Sequence, residues 1–258
     1  MTSEQVLIQK PRAVITGASD RVGRAISLEL SKAGFDLCLH WNTNEKGISE
    51  TARLARIHQS NVHCIQANLA HKSESLKLAD DILLHWDRVD VLVHNAASFY
   101  ITPFTDLSAH DWDKILHVNL IAPGLITQKL VPALQASNAH NQACLPKPIV
   151  IFLCDIGSDR PLKGYSAYTS SKAGLVALTR SLAIELAPQI RSVGISPGVV
   201  CPPIGFDSAQ LSKIESRIPL GSQGSPEDVA RLVRFISLEG AYLNGAIIPL
   251  DGGLSCRY

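Results

Sequence analysis

The chain has 258 residues, 46% of them hydrophobic, and a formal net charge of +1 at neutral pH. It is long enough to bury a large core, and too near neutrality for a nucleic-acid surface or a polybasic membrane patch. No basic-then-apolar leader is evident and no apolar run approaches the ~20 residues of a membrane span, so a cytoplasmic globular protein is expected. Six cysteines (Cys38, Cys64, Cys144, Cys154, Cys201 and Cys256) lie scattered without metal-binding spacing. They read as reduced thiols, and no metal site is expected.

The first strand expected, Ala13–Thr16, runs into Gly17-Ala18-Ser19-Asp20-Arg21-Val22-Gly23 and a helical stretch near 22–33. Gly17 and Gly23 bracket a turn that feeds a helix N-terminus, where free N–H groups and the dipole suit a pyrophosphate. Glycines in a strand-to-helix turn also serve backbone geometry alone; the position after the first strand favours the nucleotide reading. Arg21 stands where such turns often carry a third glycine. It is either a solvated loop arginine or a guanidinium forked onto phosphate and substrate, and the second is favoured.

The second strand, Asp36–Trp41, leads through His40, Asn42, Thr43 and Asn44, with no acid before Glu45. A site for NAD usually has a carboxylate here for the ribose diol. Hydrogen-bond donors without one fit a 2′-phosphate and point to NADPH, although a polar loop without a role is the plainer alternative. A helix near 46–59, a strand at Asn61–Gln66, a helix near 73–86 and a strand at Val89–His94 follow. The last ends in Asn95-Ala96-Ala97-Ser98-Phe99-Tyr100, small residues that leave room for a cofactor ring. Asn95 can bond backbone there, and Phe99 either packs or stacks on a flat heterocycle. Asn119 lies inside a helical pattern spanning 108–136, and the polar residues 137–142 are expected to form an exposed loop.

The fifth strand, Ile149–Cys154, ends at Asp155; Tyr168 and Lys172 follow on a helix over 165–187. Four residues apart, the pair shares a helix face. An ammonium there is expected to pull the phenol's pKa down from about 10 towards neutrality. At the strand end a hydroxyl suits a ketone, whereas an acid suits a ring nitrogen that needs a proton. Asp155 is thus a catalytic or substrate-binding candidate, with a loop cap as its alternative. Strands at Arg191–Ser196 and Ala246–Leu250 flank a helix over 226–238, opened by Ser225-Pro226-Glu227-Asp228 as cap, first-turn proline and acids. Strands and helices alternate throughout, and no linker divides the chain. The expectation is one domain over residues 1–258, an α/β doubly wound parallel sheet of Rossmann type with about seven strands and helices on both faces.

Together these residues resemble the short-chain dehydrogenase/reductase family, and within it the pteridine reductases. The general marks are Thr16-Gly17…Gly23, Asn95-Ala96, Asn119, Tyr168…Lys172, Pro197-Gly198 and Asp251-Gly252-Gly253. The specific ones are Arg21, His40, Ser98-Phe99-Tyr100 with Pro103, and Asp155 in place of the family's usual serine. The resemblance implies that Tyr168 and Asp155 supply a proton and that Lys172 binds nicotinamide ribose. It implies that Asn119 acts through a water, and that Arg21, Ser98 and Phe99 contact a pterin. It places Val22, Asn68, Pro197 and Gly198 along the cofactor, and it implies a homotetramer built partly on the helices carrying Asn119 and Tyr168. Ala97, Thr43 and Asn68 depart from common family choices. The expected activity is NADPH-dependent reduction of a dihydropterin or dihydrofolate; the alternatives are a ketone or quinone reductase and a catalytically silent NADP-binding protein.

Overall fold

A computed structural model describes residues 9–140, 146–201 and 208–256. Cys144, the end of the expected loop at 137–142, residues 202–207 and the last two residues lie outside the described residues. The chain alternates β1 (Arg12–Ile15), α1 (Arg21–Lys32), β2 (Asp36–Trp41), α2 (Glu45–Ile57), β3 (Val62–Gln66), α3 (Lys72–His85) and β4 (Val91–His94). It continues with α4 (Ala109–Leu116), a π-helical turn (His117–Ile121), α5 (Ala122–His140), β5 (Ile149–Leu153), α6 (Ser166–Glu185), β6 (Arg191–Pro197), α7 (Ser208–Glu215), α8 (Pro226–Leu238) and β7 (Ile247–Leu250).

The seven strands form one sheet in the order β3-β2-β1-β4-β5-β6-β7, and every neighbouring pair is parallel. Side chains alternate across it. Ala13, Ile15, Val91, Val93, Ile149 and Ile151 pack under α1, α2 and α8, while Val14, Leu92, Val150 and Phe152 pack against α3, α5 and α6. Burial on both faces explains why the inner strands read as continuous apolar runs. Edge strand β3 departs from that pattern: His63, Cys64 and Gln66 are exposed.

The fold positions the site through its connectivity. From β1 the chain moves outward to β2 and β3, then returns to place β4 on the other side of β1, which opens a crevice at their carboxyl ends. The turn after β1 and the loop after β4 meet in that crevice.

Three expectations are corrected. The helix expected over 108–136 is two helices around a π-helical turn, in which Ala122 N–H donates to His117 O. The polar stretch expected as a loop from 137 remains helical to His140, because its side chains find tertiary partners. Ser137 donates to buried Asp90, and Asn138 donates to Gln189 O. The third correction is α7, which the sequence pattern did not reveal. The start of α8 agrees with expectation, Ser225 and Asp228 forming a reciprocal capping box.

Candidate active site

The turn after β1 admits only glycine at its two bracketing positions. Gly17 has φ +68°, and a Cβ there would lie 2.9 Å from Ala96 Cα. A Cβ on Gly23 would lie 2.0 Å from Gly17 O. Arg21 adopts φ 47°, the left-handed conformation that a glycine would take without cost. Its Nη2 donates to Cys201 O at 2.6 Å and so ties the turn to the opposite lip of the crevice. Asn95 bonds backbone as expected: its Nδ2 donates to Thr16 O and Gly17 O. The Thr16 hydroxyl accepts from Asn95 and Ala96 N–H.

His40 is part of this scaffold rather than a free donor. Gly17 N–H donates to its Nδ1 at 3.1 Å, which leaves the proton on Nε2, facing Ala67 O at 2.9 Å. Both ring nitrogens are therefore committed to backbone. Burial lowers its pKa from the ordinary 6.5 to about 4, against the opposing pull of the Ala67 carbonyl. The expectation that His40 offers a hydrogen bond to a 2′-phosphate is corrected accordingly.

From the turn, a groove of about 510 Å³ runs over the sheet edge. Gly17, Arg21, Val22, Gly23, Asn42, Thr43, Asn44, Asn68, Asn95, Ala96, Phe99 and Tyr168 all line it. Its size falls within the usual range for a small-molecule site. The α1 N-terminus opens into this groove, and Asp20, its N-cap, makes no side-chain capping bond. This is the cradle an anionic dinucleotide requires: a tight glycine turn and helix N–H groups. At the far end, Asn44 caps α2 by accepting from Gly47 N–H and donates from Nδ2 to Asp20 Oδ2 at 3.1 Å. The Asn68 side chain accepts from Ala70 N–H. Asp20 was not singled out from the sequence; only the fold brings it beside Asn44.

At the other end stands the acid–base group. Asp155 leaves β5 and divides its oxygens: Oδ1 accepts from Gly157 N–H at 2.6 Å and Oδ2 from the Tyr168 hydroxyl at 2.8 Å. The capping alternative is thus realised on one oxygen, while the other faces the phenol. Lys172 is buried, and its Nζ donates to Leu153 O at 2.6 Å. Burial lowers its pKa. The phenol does not shift towards neutrality as expected. Burial first, then the Asp155 charge, hold the Tyr168 pKa well above its usual value near 10. The ammonium is drawn to a carbonyl, and its nitrogen lies 5.7 Å from the phenol ring centre.

Phe99 covers Tyr168 edge-on at 4.7 Å and stacks on Tyr165, also at 4.7 Å and with 12° between the planes. Asn119 is buried and bonded to both Ser98 N–H and Ser98 O, and it donates to Ser171 Oγ. Its side chain positions the Ser98–Phe99 loop against α6. Asp155, Lys172 and Ser98 lie outside the groove lining, as do Pro197 and Gly198 at the end of β6. Gly198 N–H bonds Leu250 O, and a Cβ on Gly198 would meet Asp251. Five of the cysteines are described and all five are free, Cys201 lying on the groove wall.

A seven-stranded parallel sheet with a glycine turn at its switch point and a Tyr168/Lys172 pair beyond β5 defines a nucleotide-dependent oxidoreductase. Residues 17–255 match the family model described as enoyl-(acyl carrier protein) reductase. The chain belongs to the short-chain dehydrogenase/reductase family, whose members use nicotinamide cofactors. It is 30% identical over 280 residues to pteridine reductase 1 of Leishmania tarentolae, covering 95% of this chain and 96% of that one. It is 30% identical over 245 residues to the 3-oxoacyl-[acyl-carrier-protein] reductase FabG of Aggregatibacter actinomycetemcomitans, covering 93% and 98%. Among solved structures, the acetoin dehydrogenase YohF from Salmonella typhimurium aligns with a TM-score of 0.86 and 27% identity over 97% of this chain and 98% of that one.

Proposed function

We propose that the chain reduces a ring C=N bond of a dihydropterin or dihydrofolate to the tetrahydro form. One observation carries the reading: a carboxylate, not a hydroxyl, accepts the hydrogen bond of the Tyr168 hydroxyl at 2.8 Å. The likeness to a pteridine reductase supports it.

A bound reduced nicotinamide dinucleotide supplies the hydride. The chain's part is to hold the substrate and place a proton. With its pKa raised, Tyr168 stays protonated and serves as a donor rather than a base. Handing its proton to a ring nitrogen would leave a phenolate beside the Asp155 carboxylate, two like charges in a buried site. Asp155 must therefore carry or relay a proton for turnover, a charge constraint that a neutral serine at this position would not impose. Lys172 faces the same pair from the β5 side and offsets the negative charge. Phe99 is half exposed with one face stacked on Tyr165, and we assign its other face to a flat heterocycle. Of the residues behind the NADPH expectation, Asn42, Thr43 and Asn44 line the groove, while both ring nitrogens of His40 are committed to backbone. We place the Ile121 side of the π-helical turn and the Ile184 side of α6, both exposed, in a homotetramer interface.

The reading is tested by following cofactor oxidation with dihydrobiopterin, dihydrofolate and a panel of ketones and quinones side by side. Turnover confined to the pteridines supports it. Turnover confined to ketones or quinones would replace it with the carbonyl-reductase reading, which the likeness to FabG favours. Cofactor binding without turnover on any of them would mark a silent nucleotide-binding protein.

A further inference from the structure

The far end of the groove carries a charge that the sequence pattern did not reveal. In a doubly wound fold the ribose hydroxyls of the adenosine half lie between the glycine turn and the carboxyl end of β2. Asp20, Asn42, Thr43 and Asn44 line the groove there. Asp20 is the sole carboxylate among the described lining residues, and Asn44 Nδ2 bridges it to the β2–α2 loop at 3.1 Å. Its oxygens are not spent on capping α1.

The nearby cations are directed elsewhere. Arg21, on the wall, donates to Cys201 O across the mouth. Arg24 donates to Ser19 O, Gly47 O and the Thr51 hydroxyl beneath the loop. Lys46 is exposed on α2 beside Glu45 and does not line the groove. His40 is neutral, with both ring nitrogens occupied.

We infer that this end of the groove selects a free ribose 2′-hydroxyl over a 2′-phosphate, with Asp20 as the specificity-determining residue, so that NADH is the preferred cofactor. A phosphate monoester carries nearly two negative charges at neutral pH, and here it would meet a carboxylate instead of a guanidinium. A ribose diol instead donates to that carboxylate in a charge-assisted hydrogen bond, and the Asn44 amide holds the acceptor in place. The sequence expectation ran the other way because it sought the acid at the end of β2, whereas here the glycine turn supplies it. The inference rests on the groove being the dinucleotide site.

The test is direct titration of the full chain with NADH and with NADPH, without a pteridine, followed by cofactor fluorescence or calorimetry. NADH is expected to bind at least about tenfold more tightly at low ionic strength, with the gap narrowing as salt screens the exposed carboxylate. Asp20→Asn should move the affinity ratio about tenfold towards NADPH, and Asp20→Ala should do the same; melting temperatures confirm that both variants fold. NADPH binding as tightly as NADH to the native chain, or a ratio unchanged in both variants, overturns the assignment of Asp20. Failure of both dinucleotides to bind overturns the groove itself as the cofactor site, and the inference with it.

Discussion

The Tyr168 hydroxyl donates to Asp155 Oδ2 at 2.8 Å, while Oδ1 of the same carboxylate is held by Gly157 N–H at 2.6 Å. The carboxylate is thereby fixed in rotamer and aimed at the phenol. On the proposed reading, replacing it removes the second proton carrier but leaves the glycine turn untouched. Asp155→Ala is expected to lower pteridine turnover by about 10²–10⁴-fold while dinucleotide affinity stays within a factor of about three. Steady-state assays paired with cofactor titration check this. A variant that keeps its pteridine turnover would remove Asp155 from the chemistry.

Tyr168→Phe tests the other half of the pair. The ring and its edge-on contact with Phe99 remain, and only the hydroxyl is lost. Turnover should fall by a similar ~10²–10⁴-fold. The loss should appear in kcat rather than in KM, because the phenol acts on the proton and not on the stack. A rise in KM at constant kcat would recast Tyr168 as a binding residue.

The glycine turn yields a sharper contrast. At Gly23→Ala the new methyl would lie 2.0 Å from Gly17 O, so the start of α1 must move away from the cradle. Dinucleotide affinity should drop by at least about tenfold and the melting temperature with it. Gly34→Ala, at φ +90° with open space around the added carbon, pays only left-handed strain of about 1–2 kcal/mol and should bind cofactor normally. Equal affinity in the two variants would contradict the close approach at Gly23.

Much of this was legible because the inner sheet is buried on both faces. Ile149–Leu153 and Val91–His94 announce themselves as apolar runs; Gly17 and Gly23 fall in the turn and first helix after β1, and Tyr168 and Lys172 on the helix after β5. The illegible parts depend on partners distant in sequence. Ser137 and Asn138 look like a loop until Asp90 and Gln189 O are brought beneath them. His40 looks like a phosphate donor until Gly17 N–H and Ala67 O take both nitrogens. The direction of the Tyr168 shift could not be read from a Tyr-x-x-x-Lys spacing. It depends first on how deeply the fold buries the phenol and then on Asp155 facing it.

The two buried histidines make stability depend on pH. Burial lowers His40 from 6.5 to about 4 and His94, stacked on Phe152 and bonded to Thr127 Oγ1, to about 3. In the unfolded chain both ionise near 6.5. Between that value and their folded values, the unfolded state binds protons that the native state refuses, so stability falls as pH falls. Their contribution is complete above pH 6.5. It erodes by about 1.4 kcal/mol per pH unit for each histidine, down to about pH 4 for His40 and pH 3 for His94. At pH 5, above most carboxylate titration, the loss should be about 2 kcal/mol per histidine. Urea midpoints at pH 7, 6 and 5 measure it. His94→Phe keeps an aromatic ring against Phe152 and should reduce the slope without abolishing it, since burial also lowers His40, His63 and His117. A native profile that is flat across this range would mean that both imidazoles accept protons in place, and that Gly17 N–H is not held by a neutral ring.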